Sequence, residues 1–163
     1  MTKMSPKPDR LRLAATYKGG FRKDLNVFVR SEWEAIVLRW LNYKNKKWEY
    51  EPKRFVFEDI KSGTKSYFPD IYLPEEDIWI EIKGYTNKSD KTRLKRFKKY
   101  YPEEFKKLRM IIRKTNKETR EFIEKLGIPV YMFFNDIEKD LKSAVLTSIE
   151  SKENTISGWE LSK

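Results

Sequence analysis

The residues best suited to chemistry lie in one short stretch, SYFPDIYLPEEDIWIEIKG, at Ser66–Gly84. Within it, Asp70 and Glu81 supply two carboxylates and Lys83 supplies an ammonium group. Carboxylate oxygens are ligands that suit Mg²⁺ and Mn²⁺. An ammonium group beside them can contact an attacking water or a phosphate oxygen. These residue types therefore indicate a divalent-cation site with a neighbouring lysine.

The same stretch predicts the β-hairpin that would position these side chains. SYFPDIYL and IWIEIK are rich in aromatic and β-branched residues, and PEED between them is a turn. A turn centred between Glu75 and Glu76 would place Asp70 opposite Glu81. Two carboxylates facing each other across a ladder repel, so a bound cation would stabilise the pair. The alternative is that both are solvated residues on an exposed sheet face, with Lys83 as their salt-bridge partner.

The amino-acid composition limits the catalytic groups that this chain can use and indicates the kind of partner that it binds. The chain has no cysteine and no histidine, which excludes disulfides, thiolate zinc sites and every catalytic arrangement built on those residues. An enzyme of this composition would depend on carboxylates, lysines, tyrosines or a bound metal. The net charge of +11 indicates a polyanionic partner, either nucleic acid or an anionic membrane surface.

Length and hydropathy bound the organisation. The 163 residues predict a single domain spanning 1–163, with a flexible N-terminal arm at about 1–10 and a frayed C-terminal tail at about 151–163. No apolar run is long enough to span a bilayer, and the N-terminus lacks the apolar core of a signal peptide. We therefore expect a cytoplasmic protein without a membrane partner.

The predicted elements run in the order helix, about three strands, helix, strand, helix, strand, helix. This order indicates the α/β class, with a mixed sheet flanked by helices and βαβ crossovers in the second half. The first helix, Ser31–Asn42, has Ser31 as a predicted N-cap and Glu34 as the partner in a capping box. Glu34 can also lie at the edge of the buried stripe, where it would be available to an active site.

Two segments concentrate positive charge. The first is a predicted basic helix at Thr86–Tyr101, capped by Ser89 or Asp90. Its seven cations indicate contact with phosphates, although a charge run can also form a solvated face; they are Lys88, Lys91, Arg93, Lys95, Arg96, Lys98 and Lys99. The second is a predicted turn at Gly19 and Gly20, where a basic loop could approach a phosphate backbone or form an ordinary turn. Its cations are Lys18, Arg22 and Lys23.

Together these residues resemble the PD-(D/E)XK nuclease superfamily. The resemblance rests on Pro69–Asp70, on the E-x-K motif Glu81-Ile82-Lys83, and on Glu34 in a preceding helix. It covers roughly residues 24 to 112. The predicted element order also resembles the restriction-endonuclease-like αβββαβ core. The wider pattern, DLNVFVRSEWEA, WEYEP and FPDIYLPEEDIWIEIKGY, is similar to small phage and bacterial endonucleases.

The resemblance implies a metal-dependent DNA endonuclease that acts inside the cell, of the kind that phages and bacteria encode. Asp70 and Glu81 would hold Mg²⁺, or Mn²⁺ in its place, and the backbone carbonyl of Ile82 would be a further ligand. Lys83 would orient or activate the attacking water and stabilise charge in the transition state. Glu34 would complete the acidic cluster.

Three alternatives stay open for the function and its substrate. The sequence contains no zinc-finger or basic-zipper motif for reading bases, which favours structure-selective cleavage of branched, flapped or junction DNA. Sequence-specific cleavage of the restriction or homing type is the second alternative. A catalytically inactive nucleic-acid-binding protein on the same fold is the third. Symmetric cutting of a junction requires two active sites related by a two-fold axis, so the first alternative predicts a homodimer.

Overall fold

A computed structural model describes residues 19–112 and 117–132, except for the side chain of Met132. These residues belong to two units, one ending at Asn45 and the other beginning at Lys46. The predicted terminal arm and tail, Lys18 and the helix predicted at 136–149 lie outside the described residues. The single domain expected for 1–163 stays a prediction.

The first unit contains a small hairpin, formed by β1 (Gly20–Arg22) and β2 (Val27–Val29). The turn predicted at Gly19 and Gly20 is wrong, because Gly20 belongs to β1 and the chain reverses between the two strands. Gly19 is constrained differently. A Cβ added there would come within 3.0 Å of the carbonyl oxygen of Arg30, so the close approach of the backbone requires glycine.

Helix α1 (Glu32–Tyr43) follows this hairpin in the chain. The N-cap predicted for Ser31 is confirmed, since its hydroxyl accepts a hydrogen bond from the backbone N–H of Glu34 at 3.3 Å. The Glu34 carboxylate in turn accepts at 2.9 Å from the backbone N–H of Arg30, which lies one residue before the N-cap Ser31 from which the predicted capping box would take its donor. These two bonds fix the start of the helix, and the negative charge of Glu34 lies favourably near its N-terminus.

The second unit is built on a mixed five-stranded sheet, as the sequence predicts. Its strands are β3 (Glu49–Tyr50), β6 (Ile71–Leu73), β7 (Ile78–Lys83), β8 (Leu108–Ile112) and β9 (Val130–Met132), in the spatial order β3-β6-β7-β8-β9. The pairs β3/β6 and β6/β7 are antiparallel, and the pairs β7/β8 and β8/β9 are parallel. A separate antiparallel pair consists of β4 (Phe55–Val56) and β5 (Ser66–Tyr67).

In the part of this unit that the structure describes, three helices accompany the sheet: α2 (Lys88–Tyr100), α3 (Pro102–Lys106) and α4 (Lys117–Leu126). The parallel strands β7 and β8 are connected through α2 and α3, and α4 lies between β8 and β9, so the predicted crossovers are confirmed.

The predicted caps of the basic helix are wrong. Asn87 is the N-cap of α2, and Asp90 is its partner in a capping box. None of the helices within the described residues could cross a membrane, being too short or too polar.

An aromatic core fills one face of the sheet. Phe55 packs edge-to-face on Trp79 of β7 at 5.3 Å between ring centroids, and Tyr67 lies 4.7 Å from Phe97 of α2. The opposite face of β7 is also buried, since Ile80 is 4% exposed. Burial of both faces is expected for a central strand flanked by a parallel neighbour. As a result, Glu81, the acidic residue of β7, projects into the interior of this unit.

Candidate active site

The β6–β7 hairpin has the register that the predicted site requires. Ile71 pairs with Ile80 and Leu73 with Ile78, so continuing this register by one residue sets Asp70 opposite Glu81. Asp70 itself precedes the first residue of β6. Its Oδ2 accepts a hydrogen bond from the backbone N–H of Ile82 at 2.7 Å, which fixes the carboxylate against β7 where the backbone ladder has stopped.

Glu81 is a buried carboxylate. It is 3% exposed, and its Oε2 accepts a hydrogen bond at 2.9 Å from the phenol of Tyr67, which is itself buried. Burial, with the nearby charges of Glu81 and Asp70, raises the pKa of Tyr67 well above its usual value, so this phenol stays a donor. The alternative of a solvated residue on an exposed sheet face is therefore wrong for Glu81.

Lys83 lies between two carboxylates. Its Nζ is 3.1 Å from Oε1 of Glu81 and 3.4 Å from Oδ1 of Asp90. The charge of Glu81 raises the pKa of Lys83 above its ordinary value; Asp70 and Asp90 act in the same direction, and burial opposes them. Lys83 is therefore a cation at neutral pH, with 27% of its side chain exposed.

Asp90 and Tyr67 belong to this network but are absent from the site predicted from the sequence. Asp90 is 8% exposed, and it receives hydrogen bonds from the backbone N–H of Asn87 and from Nη1 of Arg93, each at 3.1 Å. One sequence signal could have indicated Asp90, since it is the only acid in a strongly basic helix. No comparable signal exists for Tyr67, because its contact with Glu81 depends on a break between β5 and β6.

Asp70 and Glu81 are the residues of this site that could hold a small divalent cation. Three carboxylates act on the ammonium of Lys83, and the guanidinium of Arg93 contacts one of them, so three negative charges stand against two positive ones there. Across the described ranges, no group of three or more acidic, histidine or cysteine side chains is arranged to hold a metal. Two carboxylates are nevertheless enough for Mg²⁺, which is commonly held by one or two of them together with water and substrate phosphates.

The predicted roles of two further site residues, Ile82 and Glu34, stay predictions. Ile82 lies between Glu81 and Lys83 in β7, and a metal contact through its carbonyl oxygen stays a prediction. Glu34 belongs to the first unit, where its carboxylate contacts the start of α1. Its part in an acidic cluster with Asp70 and Glu81 likewise stays a prediction.

The cations of α2 divide into two groups. Three of them are fixed by internal contacts. Nζ of Lys91 lies 2.6 Å from Oε1 of Glu118, Arg93 contacts Asp90, and Nη1 of Arg96 donates to the carbonyl oxygen of Thr64. These contacts connect α2 to α4 and to the turn after β4, so part of the basic character of this helix stabilises the fold.

The other cations of α2 face solvent. Lys88, Lys95 and Lys99 are exposed, and their spacing of seven and four residues places them along one side of the helix. Lys98 is also exposed, and its Nζ donates to the carbonyl oxygen of Leu126 at 2.9 Å. We refer to Lys88, Lys95 and Lys99 as the lysine row. Because this row is directed away from buried Leu94 and Phe97, it is accessible to a polyanion.

The predicted basic turn of the first unit is different from its expected form. Arg22 is half-buried at the end of β1, and Lys23 is exposed in the turn that follows. Lys18 lies outside the described residues. Binding of phosphate by these three residues stays a prediction.

Comparison with models of protein families, with curated proteins and with solved structures finds no match to this chain. The geometry around Asp70, Glu81 and Lys83 is therefore the basis for assigning a function.

Proposed function

We propose that this protein is a Mg²⁺-dependent DNA endonuclease with a restriction-endonuclease-like core. The proposal rests above all on one observation: the register of β6 and β7 opposes Asp70 to Glu81, while Nζ of Lys83 lies 3.1 Å from Oε1 of Glu81. Two carboxylates beside a fixed ammonium are the groups that metal-assisted hydrolysis of a phosphodiester needs in a chain without histidine.

Each residue of the site would have a distinct role. Asp70, Glu81 and the carbonyl of Ile82 would hold Mg²⁺ or Mn²⁺. Such an ion, when bound, supplies Lewis acidity and a nucleophilic water at neutral pH. The raised pKa of Lys83 favours a protonated side chain. Lys83 would therefore orient the water and donate hydrogen bonds to the oxygens on which negative charge develops, rather than remove a proton.

The element order supports the proposed core. Helix α1 is followed by β3, the separate pair β4 and β5, and then β6 and β7; α2, α3 and β8 come next. With β4, β5 and the short helix α3 set aside, the remaining elements have the order αβββαβ of the proposed core. The site lies at the carboxyl end of β7, next to the parallel strand β8. Ligands of open α/β sheets bind at the carboxyl ends of strands, which is consistent with a substrate approaching there.

We propose DNA as the partner, with branched, flapped or junction DNA as the preferred substrate. The net charge of +11 and the exposed lysine row support a polyanionic partner of this kind. Cutting both strands of a junction symmetrically would require a homodimer. Light scattering at micromolar protein, with and without a four-way junction, tests for the homodimer. A monomer in both conditions would exclude symmetric cleavage of junctions and leave a nickase or a flap nuclease.

A cleavage assay tests the proposed function. Plasmid, single-stranded, flapped and four-way-junction DNA are incubated with the protein in Mg²⁺ or in EDTA. We expect cleavage only in Mg²⁺, with the highest rate on branched substrates. Equal rates on branched and linear DNA, with cuts at fixed sequences, would favour a sequence-specific enzyme. Binding without cleavage in Mg²⁺ or Mn²⁺ would favour an inactive nucleic-acid-binding protein.

A further inference from the structure

Asp90 makes contacts that a helix cap alone does not require. The capping box of α2 uses only Oδ2 of Asp90, which accepts from the backbone N–H of Asn87 at 3.1 Å. The second oxygen, Oδ1, lies 3.4 Å from Nζ of Lys83 and accepts from Nη1 of Arg93 at 3.1 Å. One carboxylate thus joins the N-terminus of α2 to the ammonium group of the candidate site.

The need for such a contact follows from the position of Glu81. Its Oε1 lies closer to Nζ of Lys83, at 3.1 Å, than Oδ1 of Asp90 does, at 3.4 Å. A divalent cation held by Glu81 would neutralise part of that carboxylate and would repel the ammonium. Lys83 would then lose its closer partner, Glu81, in the metal-bound state. That is the state in which the ammonium of Lys83 has to be held in position. Of the three carboxylates that act on Lys83, Asp90 is the one not assigned to the metal.

We propose that Asp90 is a positioning residue for Lys83, holding its ammonium in place while Asp70 and Glu81 bind the metal. This inference rests on the proposed nuclease function and adds a residue to that site. Asp90 suits the role because it is 8% exposed and its carboxylate is fixed by the backbone N–H of Asn87 and by Nη1 of Arg93. Preorganisation of this kind lowers the cost of orienting the group during the reaction.

The variant Asp90→Asn tests the proposal by removing the charge while keeping the size and an acceptor for the cap. We expect kcat in Mg²⁺ to fall by about 10- to 100-fold, the usual effect of removing a group that orients a metal-site residue. KM for DNA should change less than about twofold, because Asp90 is not placed to contact the substrate. Asp90→Glu, which keeps the charge, should recover part of the missing kcat.

The matched control is Asn87→Ala, which removes the side chain that accepts from the backbone N–H of Asp90 but keeps the backbone N–H that binds the Asp90 carboxylate. This variant should lower stability by about 1 kcal/mol and leave kcat near that of the wild type. A loss of kcat as large in Asn87→Ala as in Asp90→Asn would assign Asp90 to the fold alone. Wild-type kcat in Asp90→Asn would also overturn the positioning role.

A measurement on the wild type needs neither a variant nor cleavage. The ¹⁵N NMR signal of the Lys83 ammonium is recorded with saturating Mg²⁺, using exposed Lys99 as the internal reference. We expect Lys83 to remain ordered and to exchange its protons more slowly than Lys99. An ammonium as mobile as that of Lys99 would overturn the proposal even if the protein cleaves DNA. A protein that cleaves no DNA but keeps Lys83 ordered would remove the proposed function and leave the contact with Asp90 intact.

Discussion

The carboxylate of Asp70 binds the backbone N–H of Ile82, with 2.7 Å between Oδ2 and the nitrogen. A side chain here takes the place of the ladder partner that β6 no longer supplies, since that strand begins only at Ile71. Asp70 therefore has a structural role in addition to its proposed role as a metal ligand. Variants of Asp70 have to separate the two.

Two substitutions of Asp70 make that separation. Asp70→Asn keeps an acceptor for Ile82 but loses the charge, so we expect cleavage to fall by more than about 100-fold, or at least about 3 kcal/mol, at nearly unchanged stability. Asp70→Ala leaves the N–H of Ile82 without this partner and should also lower the free energy of unfolding by about 1–3 kcal/mol. Urea denaturation and cleavage rates together check this. Wild-type cleavage by Asp70→Asn would show that the site is wrongly assigned.

The buried phenol of Tyr67 offers a second test. Tyr67→Phe removes one oxygen and leaves Oε2 of Glu81 without its 2.9 Å hydrogen bond. We expect the free energy of unfolding to fall by about 1–3 kcal/mol because Glu81 is buried. Chemical denaturation measures the change, and Tyr72→Phe is the control, since that phenol makes its hydrogen bond to Asp77 at the surface. An equal loss in the free energy of unfolding for both variants would mean that the buried Tyr67–Glu81 hydrogen bond stabilises the fold no more than the one at the surface.

The division of the cations of α2 predicts two different effects on DNA binding. Neutralising Lys95 and Lys99 of the lysine row to Gln should weaken binding for all sequences alike and lower the salt slope by about 1 for each phosphate that the variant no longer binds. Arg96→Gln should instead lower stability, because Arg96 contacts the carbonyl of Thr64. Fluorescence anisotropy over a range of salt concentrations, with melting curves, separates them. A salt slope that stays the same in the double variant would make the row a solvated face.

Stability in the first unit should depend on pH through Asp24. The pKa of Asp24 is lowered, chiefly by its hydrogen bonds from Arg39, at 2.7 Å and 3.1 Å. A carboxyl whose pKa is lower in the folded state stabilises the fold above its unfolded value, near pH 4, and loses that contribution as the pH falls further. The free energy of unfolding of the wild type should exceed that of Asp24→Asn by about 1 kcal/mol at pH 7 and by less at pH 3. A difference that does not shrink at pH 3 would contradict this ion pair.

Some of this structure follows directly from local sequence. The strands β7 and β8 begin and end where the apolar runs IWIEIK and LRMII do, because β-branched residues fit a central sheet. The PEED turn is enough to set the hairpin register, since a slip by one residue would move every side chain to the other face. The opposition of Asp70 and Glu81 could therefore be predicted from residues adjacent in sequence.

Other features depend on contacts that local patterns do not encode. The strand predicted for Ser66–Leu73 is broken before Ile71, since Pro69 has no N–H to donate to a ladder. That break lets Tyr67 reach Glu81 from a different pair of strands. Likewise, the burial of Glu81 results from packing against the aromatic core, and the contact of Asp90 with Lys83 joins a helix to a strand seven residues earlier.

The rate of DNA cleavage by Lys83→Ala in Mg²⁺, relative to the wild type, is the most direct test of metal-dependent catalysis at Asp70, Glu81 and Lys83. Lys83 is half-buried and contacts Glu81 and Asp90 rather than the aromatic core, so melting curves should show a folded variant. We predict a loss of more than about 100-fold in rate, corresponding to about 3 kcal/mol of transition-state stabilisation. Cleavage by a folded Lys83→Ala protein at a rate close to that of the wild type, or wild-type cleavage that persists in EDTA, would contradict the account.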